Sequence, residues 1–378
     1  MIVNLKSQND LSGLYFVYYG SCNLEKPGVY GTAHLLEHLN CQAFEALQDS
    51  LDSEGVSWNA YTGSDCIVFY FTALEENLAK FRSKLMKLMS EHKITKERFE
   101  NEKKIVIQEA LDCFNSQDQA HYLNLSRRIN NHYNAIGSIS DLQKLSYEDC
   151  MKQNELQYSA VDKIINVSKT FELKTSRMKF RKPNDVKSFS NFADQFFYDL
   201  KPNPKAKLDK LNDFTGKVSV IYYAPYVEEK DAAIYQFISE MLSGGLNSPL
   251  YKEIRETRQI CYYIRMELER FGKKGWPTIS TVTTKKNLKP LHEALKDVLD
   301  NPQKYMTKER FNLIHNLMKI NLKKRDIHRY KNVEDHISPE SWNVYNLLDK
   351  ITHKDVLEAY DRLISFEKFT RSLDNELN

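Results

Sequence analysis

The sequence lacks the features that would mark a membrane protein or a nucleic-acid-binding protein. No apolar run approaches the ~20 residues that a membrane-spanning helix needs. Residues 1–14 contain no basic segment followed by an apolar one, so no signal peptide is predicted. The net charge is only +3 over 378 residues, and the basic residues are not clustered. We therefore predict no membrane span and no nucleic-acid or anionic-membrane partner.

Cysteine pairs are also missing. The six cysteines lie far apart and form no C-x-x-C motif. In a chain of this size without a secretion signal, such cysteines are typical of free thiols in a reducing compartment. We therefore predict a cytoplasmic protein. The rest of the composition, with 41% apolar and 28% charged residues, is that of a soluble globular protein with ample material for a core.

A weak internal repeat indicates two homologous halves. Residues 94–99 (ITKERF) recur as residues 306–311 (MTKERF), and residues 145–149 have a counterpart in residues 351–355. The length of the chain also suits two domains of ~150–200 residues each. A polar stretch with several prolines lies between the halves and is typical of a linker. The predicted domains are residues 1–185 and residues 207–378, joined by a linker at residues 186–206.

The order of strand and helix patterns predicts an α+β fold in each half, with a mostly antiparallel sheet and helices packed on one face. Thr95 and Thr307, which open the two TKERF helices, are predicted N-caps. The predicted strands are residues 15–19, 67–72, 164–167 and 218–223, and the predicted helices of the first half are residues 80–89, 98–113 and 120–131.

The sharpest local signal is the H-x-x-E-H motif at residues 34–38. On a helix, His34 and His38 lie one turn apart on the same face, and two neutral imidazoles at that spacing can hold one zinc ion. Glu37 lies beside that face, near enough to take a proton from a water activated by the metal. Alternatively, both histidines are simply buried on an otherwise apolar helix. Cys41 is a further candidate ligand, although a small buried thiol is the commoner finding.

A catalytic zinc site needs at least one more protein ligand. Glu102 and Glu109 are candidates, because they lie two helical turns apart on one face of the helix predicted at residues 98–113. Glutamates at this spacing normally face solvent. Here residues 105–107 are all apolar, so the helix is expected to be partly buried. A buried carboxylate needs a partner, and a metal ion is one solution.

The order of these motifs resembles the inverted zinc motif of the pitrilysin or insulinase family, which includes insulin-degrading enzyme and mitochondrial processing peptidase. The resemblance extends to GTAHLLEHL (31–39), WNAYT (58–62), LSGGLNSPL (242–250) and LYKEIRETRQICY (250–262). It therefore covers nearly the whole chain. It implies a zinc metalloendopeptidase whose two similar domains form half of a clam-like chamber.

The resemblance also implies a role for each matching residue. His34, His38 and Glu109 would bind one zinc ion per chain. Glu37 would be the general base, and Glu102 would orient the site from behind the ligands.

The resemblance implies substrate-binding residues as well. Asn59, Ala60 and Tyr61 would bind the peptide by strand addition. Arg255 and Tyr262 would hold the substrate and stabilise the oxyanion of the tetrahedral intermediate. For Arg255 and Tyr262 the alternative is an ordinary helix-end arginine and a core tyrosine.

The repeat predicts that the second half has lost the metal. When the halves are aligned, Phe237 and Met241 fall opposite the two histidines of the motif, and only the glutamate remains, as Glu240. The second half is therefore predicted to keep the packing of the first without its chemistry.

Relatives in this family enclose a peptide substrate with four such domains, whereas this chain supplies two. We therefore predict a homodimer in which Arg255 and Tyr262 reach the zinc site of the other subunit; a heterodimer with a related chain is the alternative. The expected substrates are short or unfolded peptides. A catalytically inactive structural or partner subunit is the alternative function, and a non-peptidase zinc or regulatory protein is a further one. The sequence does not reveal the physiological substrate.

Overall fold

The computed structural model places most of the chain. It describes residues 1–7, 9–63, 65–91, 94–115, 119, 135–174, 178–181, 217–225, 227–271, 274–327, 333, 336–337 and 350–373. Two predictions lie outside the described residues, namely the helix at residues 120–131 and the linker at residues 186–206.

The chain divides into two compact units. The first comprises Met1–Cys113, Ser126–Pro204 and His328–Ser341, and the second comprises Phe114–Leu125, Lys205–Ile327 and Trp342–Asn378. Each unit has its own five-stranded sheet and its own hydrophobic core. The domain limits at 185 and 207 stay a prediction, since the chain around them lies outside the described residues.

The first sheet has the strand order β1-β5-β2-β4-β3. Its strands are β1 (Ile2–Lys6), β2 (Leu11–Tyr19), β3 (Ser57–Thr62), β4 (Cys66–Leu74) and β5 (Lys163–Ser168). Neighbouring strands are antiparallel except for β1 and β5, which are parallel. The three strands predicted in the first half are confirmed, and β3 lies at one edge of the sheet.

Both faces of the central strand β2 are buried. Because side chains alternate along a strand, Phe16 and Tyr18 pack into the core beneath the helices, whereas Val17 lies on the opposite face with Val333 and Ile337. The apolar run that the sequence shows here is therefore the centre of the sheet.

The helices of the first unit are α1 (Thr32–Glu45), α2 (Gln48–Ser53), α3 (Glu75–Leu88), α4 (Lys96–Asn115), α5 (Ile139–Lys144) and α6 (Tyr147–Tyr158). The helices predicted at residues 80–89 and 98–113 are confirmed as α3 and α4. The hydroxyl of Thr95 accepts a hydrogen bond from the N–H of Arg98 at 3.3 Å, so the predicted N-cap is confirmed.

The second unit repeats this design with antiparallel pairs. Strands β6 (Lys217–Tyr223), β9 (Lys274–Thr284) and β10 (Thr370–Leu373) pair in the order β10-β6-β9, and β7 (Val227–Glu228) and β8 (Ile264–Phe271) both pair with β9. Its helices are α7 (Glu229–Ser243), α8 (Leu288–Leu299), α9 (Pro302–Tyr305), α10 (Lys308–Ile327) and α11 (His353–Leu363). The hydroxyl of Thr307 caps α10 as predicted, with the N–H of Arg310 at 3.2 Å.

Both units thus have the predicted α+β class, with antiparallel-rich sheets and packed helices. Within the described part of the chain, no helix combines the length and the apolar character that crossing a membrane requires.

Two glycines bring a loop into backbone contact with the first turn of α1. Gly31, the N-cap of α1, has a φ of +97°, and Gly137 has a φ of +70°, a region that glycine adopts readily. A Cβ atom at Gly137 would lie 2.2 Å from the Cα atom of Gly31. The N–H of Ser138 also donates to the carbonyl of Tyr30 at 3.3 Å. The first turn of α1, the helix that bears the H-x-x-E-H motif, therefore packs directly on the backbone at Gly137, where a side chain would not fit.

We expect Gly137→Ala to lower the free energy of unfolding by roughly 3 kcal/mol or more, because the added methyl group overlaps backbone and a non-glycine residue must hold a positive φ. Gly55→Ala is the matched control, since Gly55 has a φ of +63° but no described atom within 4 Å of the Cβ position. It should lose only about 1 kcal/mol. Urea unfolding of the metal-free variants measures both, and equal losses would contradict the role of the close approach.

Candidate metal centre

Helices α1 and α4 supply the residues of the predicted zinc site. On α1, Leu35 and Leu39 are buried in the core, which leaves His34 and His38 on the side that meets α4. On α4, the buried Val106 anchors the helix to the same core. The apolar pattern of each helix thus sets which of its polar side chains meet.

Three side-chain atoms converge between the two helices. Oε2 of Glu109 lies 3.7 Å from Nε2 of His34 and 3.6 Å from Nε2 of His38, and all the ligand atoms lie within 4.8 Å of one another. At 3.6 to 3.7 Å no hydrogen bond joins the carboxylate to either ring. The three atoms therefore surround a common gap instead of binding one another.

This donor set fits zinc. Two imidazole nitrogens and one carboxylate oxygen form a known ligand set of catalytic zinc sites, which keep a fourth position open. Among the described residues, His34, His38 and Glu109 form the cluster of histidine, cysteine and acidic side chains that is close enough to hold a metal ion. Cys41 is not a member of it.

Burial keeps the imidazole of His34 neutral. Loss of solvent, together with the neighbouring ring of His38, lowers the pKa of His34 to about 4. The two rings are nearly perpendicular, with centroids 4.7 Å apart. Because a metal ion binds the neutral form of histidine, protons compete poorly for this ligand at neutral pH.

Glu37 is held by the neighbouring edge strand. Its side chain is buried, and its Oε2 accepts a hydrogen bond from the hydroxyl of Thr62 in β3 at 2.6 Å. Burial raises the pKa of Glu37, while the Thr62 bond and the proximity of His38 act in the opposite direction. A raised pKa suits a carboxyl group that must both accept and return a proton near neutral pH.

Glu102 lies behind the metal ligands and links the two helices. Its Oε2 lies 3.3 Å from Nδ1 of His38, and its Oε1 accepts a hydrogen bond from Nε2 of Gln42 at 2.6 Å. A proton on Nδ1 of His38 leaves the lone pair on Nε2, the nitrogen that faces the gap. Gln42 was not predicted from the sequence, although its position four residues after His38 on the same helix was a usable signal.

A second residue that the sequence did not single out holds the N-terminus of α1. Glu25 is buried and accepts hydrogen bonds from the backbone N–H groups of Gly31 at 3.0 Å and Ala33 at 2.6 Å. Burial raises the pKa of Glu25 to about 8, although these N–H donors favour its charged form. An acidic residue shortly before a helix start was the available signal, and it is too common to be informative.

The predicted peptide-binding residues lie on the sheet edge beside the site. In the described part of the chain, β3 pairs with β4 on one side only. Its side chains alternate, so Asn59 and Tyr61 are exposed while Ala60 is half-buried. Thr62, at the end of the same strand, holds Glu37. The exposed edge therefore leads directly to the predicted general base.

Arg255 and Tyr262 are brought together in the second unit. The guanidinium carbon of Arg255 lies 4.7 Å from the ring centroid of Tyr262 and 4.4 Å from that of Tyr251, so the cation stacks on both aromatic rings. Arg255 lies in a π-helical segment, Tyr251–Thr257, a rare conformation that is frequent at functional sites. Tyr262 is 79% exposed and is therefore not a core tyrosine.

The equivalent helix of the second unit is packed with apolar residues. Phe237 and Met241 on α7 are fully buried, and the ring of Phe237 stacks on Phe311 with centroids 4.8 Å apart. Burial raises the pKa of the remaining Glu240, and Arg310 partly offsets this. Apolar packing thus occupies the positions that the sequence repeat aligns with the two histidines of the first unit.

Family comparisons match both halves of the chain. Residues 7–139 match the family described as insulinase (peptidase family M16), and residues 184–318 match the one described as peptidase M16 inactive domain. The second description agrees with the buried Phe237 and Met241.

Curated relatives and solved structures agree with these matches. An uncharacterized zinc protease of Rickettsia bellii is 20% identical over 371 residues, covering 90% of this chain and 87% of the relative. The zinc protease PqqE of Helicobacter pylori is 24% identical over 306 residues, covering 73% and 67%. The crystal structure of a protease from Helicobacter pylori matches with a TM-score of 0.74 at 17% identity, covering 98% of this chain and 96% of that one. At such identity this structural likeness shows the fold alone.

Proposed function

Because this chain belongs to the insulinase family of peptidases, peptidase family M16, we propose that it is a zinc-dependent endopeptidase that cleaves short or unfolded peptides. The observation that carries the proposal is the gap bounded by His34, His38 and Glu109 beside the buried carboxyl of Glu37. The curated relatives named as zinc proteases support the same chemistry.

Each residue of the site has a task in this reaction. His34, His38 and Glu109 would hold the ion, and Glu102 would keep His38 oriented. A zinc ion held there would supply Lewis-acid chemistry: it would activate a water molecule at neutral pH and polarise the scissile carbonyl.

Glu37 moves the proton. Thr62 donates to one oxygen of Glu37 at 2.6 Å, which fixes the carboxyl group and leaves its other oxygen to accept the proton of the attacking water. After the C–N bond breaks, Glu37 returns that proton to the leaving amine.

The peptide is bound mainly through its backbone. It adds to the open edge of β3 beside Asn59, Ala60 and Tyr61, a mode that favours extended and therefore unfolded segments. Arg255 and Tyr262 then stabilise the negative charge that develops on the carbonyl oxygen. Their stacking already limits the freedom of the guanidinium group before substrate binds.

The test of this function is cleavage that depends on the metal. Zinc-loaded protein is incubated with a mixed peptide library, with and without a chelator, and the products are sequenced. We expect products that disappear with the chelator and return when zinc is added. If no product responds to the chelator, the alternative of an inactive structural or partner subunit is favoured.

We also propose that the chain acts in the cytoplasm as a homodimer. All six cysteines are free thiols, as expected in a reducing compartment. The exposed Tyr262 beside Arg255 is available to a second copy of the chain, and the family resemblance places this pair opposite a zinc site. A heterodimer with a related chain is the alternative assembly.

Mixing two inactive variants tests the shared site. We expect Glu37→Gln and Arg255→Ala each to be inactive alone. If Arg255 serves the zinc site of the other subunit, half of a random mixture is mixed dimer with one intact site, so about a quarter of the wild-type activity should return. Recovery is measured after exchange of subunits at dilute concentration. An absence of recovery, with subunit exchange verified, would argue that Arg255 does not act across the dimer.

A further inference from the structure

The two oxygens of Glu102 are taken by two different residues of α1. Oε2 faces Nδ1 of His38 at 3.3 Å, and Oε1 accepts the amide N–H of Gln42 at 2.6 Å. His38 and Gln42 are four residues apart and therefore lie on one face of the helix. The carboxylate thus spans two successive turns of α1, and its orientation is fixed from both sides.

We propose that Gln42 is a positioning residue of the metal centre. Its amide holds Glu102 so that Oε2 stays on Nδ1 of His38, and Nε2 of His38 then faces the gap shared with His34 and Glu109. This inference rests on the proposed function, because it concerns the residues that would hold the zinc ion.

The amide group of Gln42 can face Glu102 in only one way. The hydrogen bond joins Nε2 of Gln42 to Oε1 of Glu102 at 2.6 Å, and a carboxylate oxygen accepts hydrogen bonds without donating any. The NH₂ end of Gln42 must therefore point at Glu102. At the other end, Oε1 of Gln42 is buried and has no hydrogen-bond partner among the described residues.

The unpaired Oε1 of Gln42 makes it possible to distinguish a positioning role of this residue from a role in the stability of the fold. A buried acceptor without a partner destabilises the folded state, which offsets the stabilisation from the hydrogen bond to Glu102, so the net contribution of the Gln42 amide to the stability of the fold is small. Among the described residues, its hydrogen bond is made to Glu102. Removing the amide is therefore expected to affect the metal centre more than the fold.

The contact between Glu102 and Nδ1 of His38 favours the tautomer of His38 that carries its proton on Nδ1. A histidine that binds a metal through Nε2 carries its proton on Nδ1, and a carboxylate facing Nδ1 favours this form and fixes the ring. Nδ1 of His34 is buried without a hydrogen-bond partner among the described residues. Of the two histidines, His38 is thus the one whose Nδ1 faces a partner among the described residues.

The experiment measures zinc affinity directly. Zinc dissociation constants of wild type and Gln42→Met are determined by competition with a chromophoric chelator, and thermal unfolding of the metal-free proteins is followed in parallel. We expect Gln42→Met to raise the zinc Kd by about 3- to 10-fold, less than the loss of a direct partner of a ligand. The Tm of the metal-free protein should change little, because removal of the unpaired oxygen of Gln42 offsets the lost hydrogen bond to Glu102. Gln42→Leu repeats the test with a second apolar side chain.

Two controls test whether Gln42→Met changes the zinc Kd through Glu102. Gln108→Met removes an exposed amide of α4 whose hydrogen bond among the described residues is local, to Asp112 at 3.0 Å, and should leave the Kd unchanged. In a Glu102→Gln background, Gln42→Met should change the Kd by less than twofold, because Gln42 acts through Glu102.

The outcomes separate this inference from the proposed function. A Kd for Gln42→Met within twofold of wild type, or the full loss in the Glu102→Gln background, overturns the positioning role even when the wild type cleaves peptides with zinc. Wild-type cleavage that ignores the chelator instead overturns the proposed function, while the zinc affinities still decide the role of Gln42.

Discussion

Replacing Glu37 by glutamine is expected to reduce kcat for peptide cleavage by about 10³-fold while zinc stays bound. Glutamine has the same shape and can keep the contact with the hydroxyl of Thr62. Its amide, however, cannot accept the proton of the attacking water. Initial rates on a fluorogenic peptide give kcat, and metal analysis of the dialysed protein gives the zinc content.

Glu45→Gln is the matched control for this variant. Glu45 lies on the same helix and is exposed, so its substitution makes the same chemical change away from the site. We expect wild-type rates. The base assignment would be wrong if Glu37→Gln retained a rate within tenfold of wild type, or if its rate fell only because zinc was lost.

Glu109→Gln is expected to raise the zinc Kd by at least about 100-fold, because a neutral amide oxygen replaces one of three protein ligands. Cleavage should fall at limiting zinc and recover in part when zinc is added in excess. This recovery distinguishes the loss of a ligand from the loss of the base, since Glu37→Gln should not respond to added zinc. Equilibrium dialysis and rates across a zinc titration provide both readouts.

Glu100→Gln controls for changes on α4. Glu100 is exposed on the same helix, and its substitution should leave the zinc Kd unchanged. If Glu109→Gln bound zinc as tightly as Glu100→Gln does, Glu109 would not be a ligand, and the ion would have to be held by other residues.

Spacing within one helix could be predicted from the sequence. His34 and His38 lie on one face of α1, and Thr95 caps α4, because helical geometry relates residues three and four apart without any tertiary contact. The strands β2 and β4 were likewise visible as short apolar runs. Such local features are set by the backbone itself.

Contacts between residues on different helices or strands could not be predicted in this way. Glu102 lies 64 residues from His38; helical spacing made it one of two candidate ligands, and only the family resemblance indicated that it would lie behind His38. The parallel pairing of Ile2 in β1 with Ile164 in β5 also left no local signal, since alternation predicts burial but not the neighbouring strand. Gln42 escaped attention because a glutamine on a helix is normally solvated.

The alternating exposure along β3 bears on the fragments that the protein would release. A peptide that adds to this edge can shift only in steps of two residues without turning its side chains to the opposite face. Because Thr62 ties the end of the strand to Glu37, each allowed shift presents every second peptide bond to the same carboxyl group. Digestion of one unfolded peptide should then leave a ladder of lengths that differ by even numbers, which mass spectrometry would resolve.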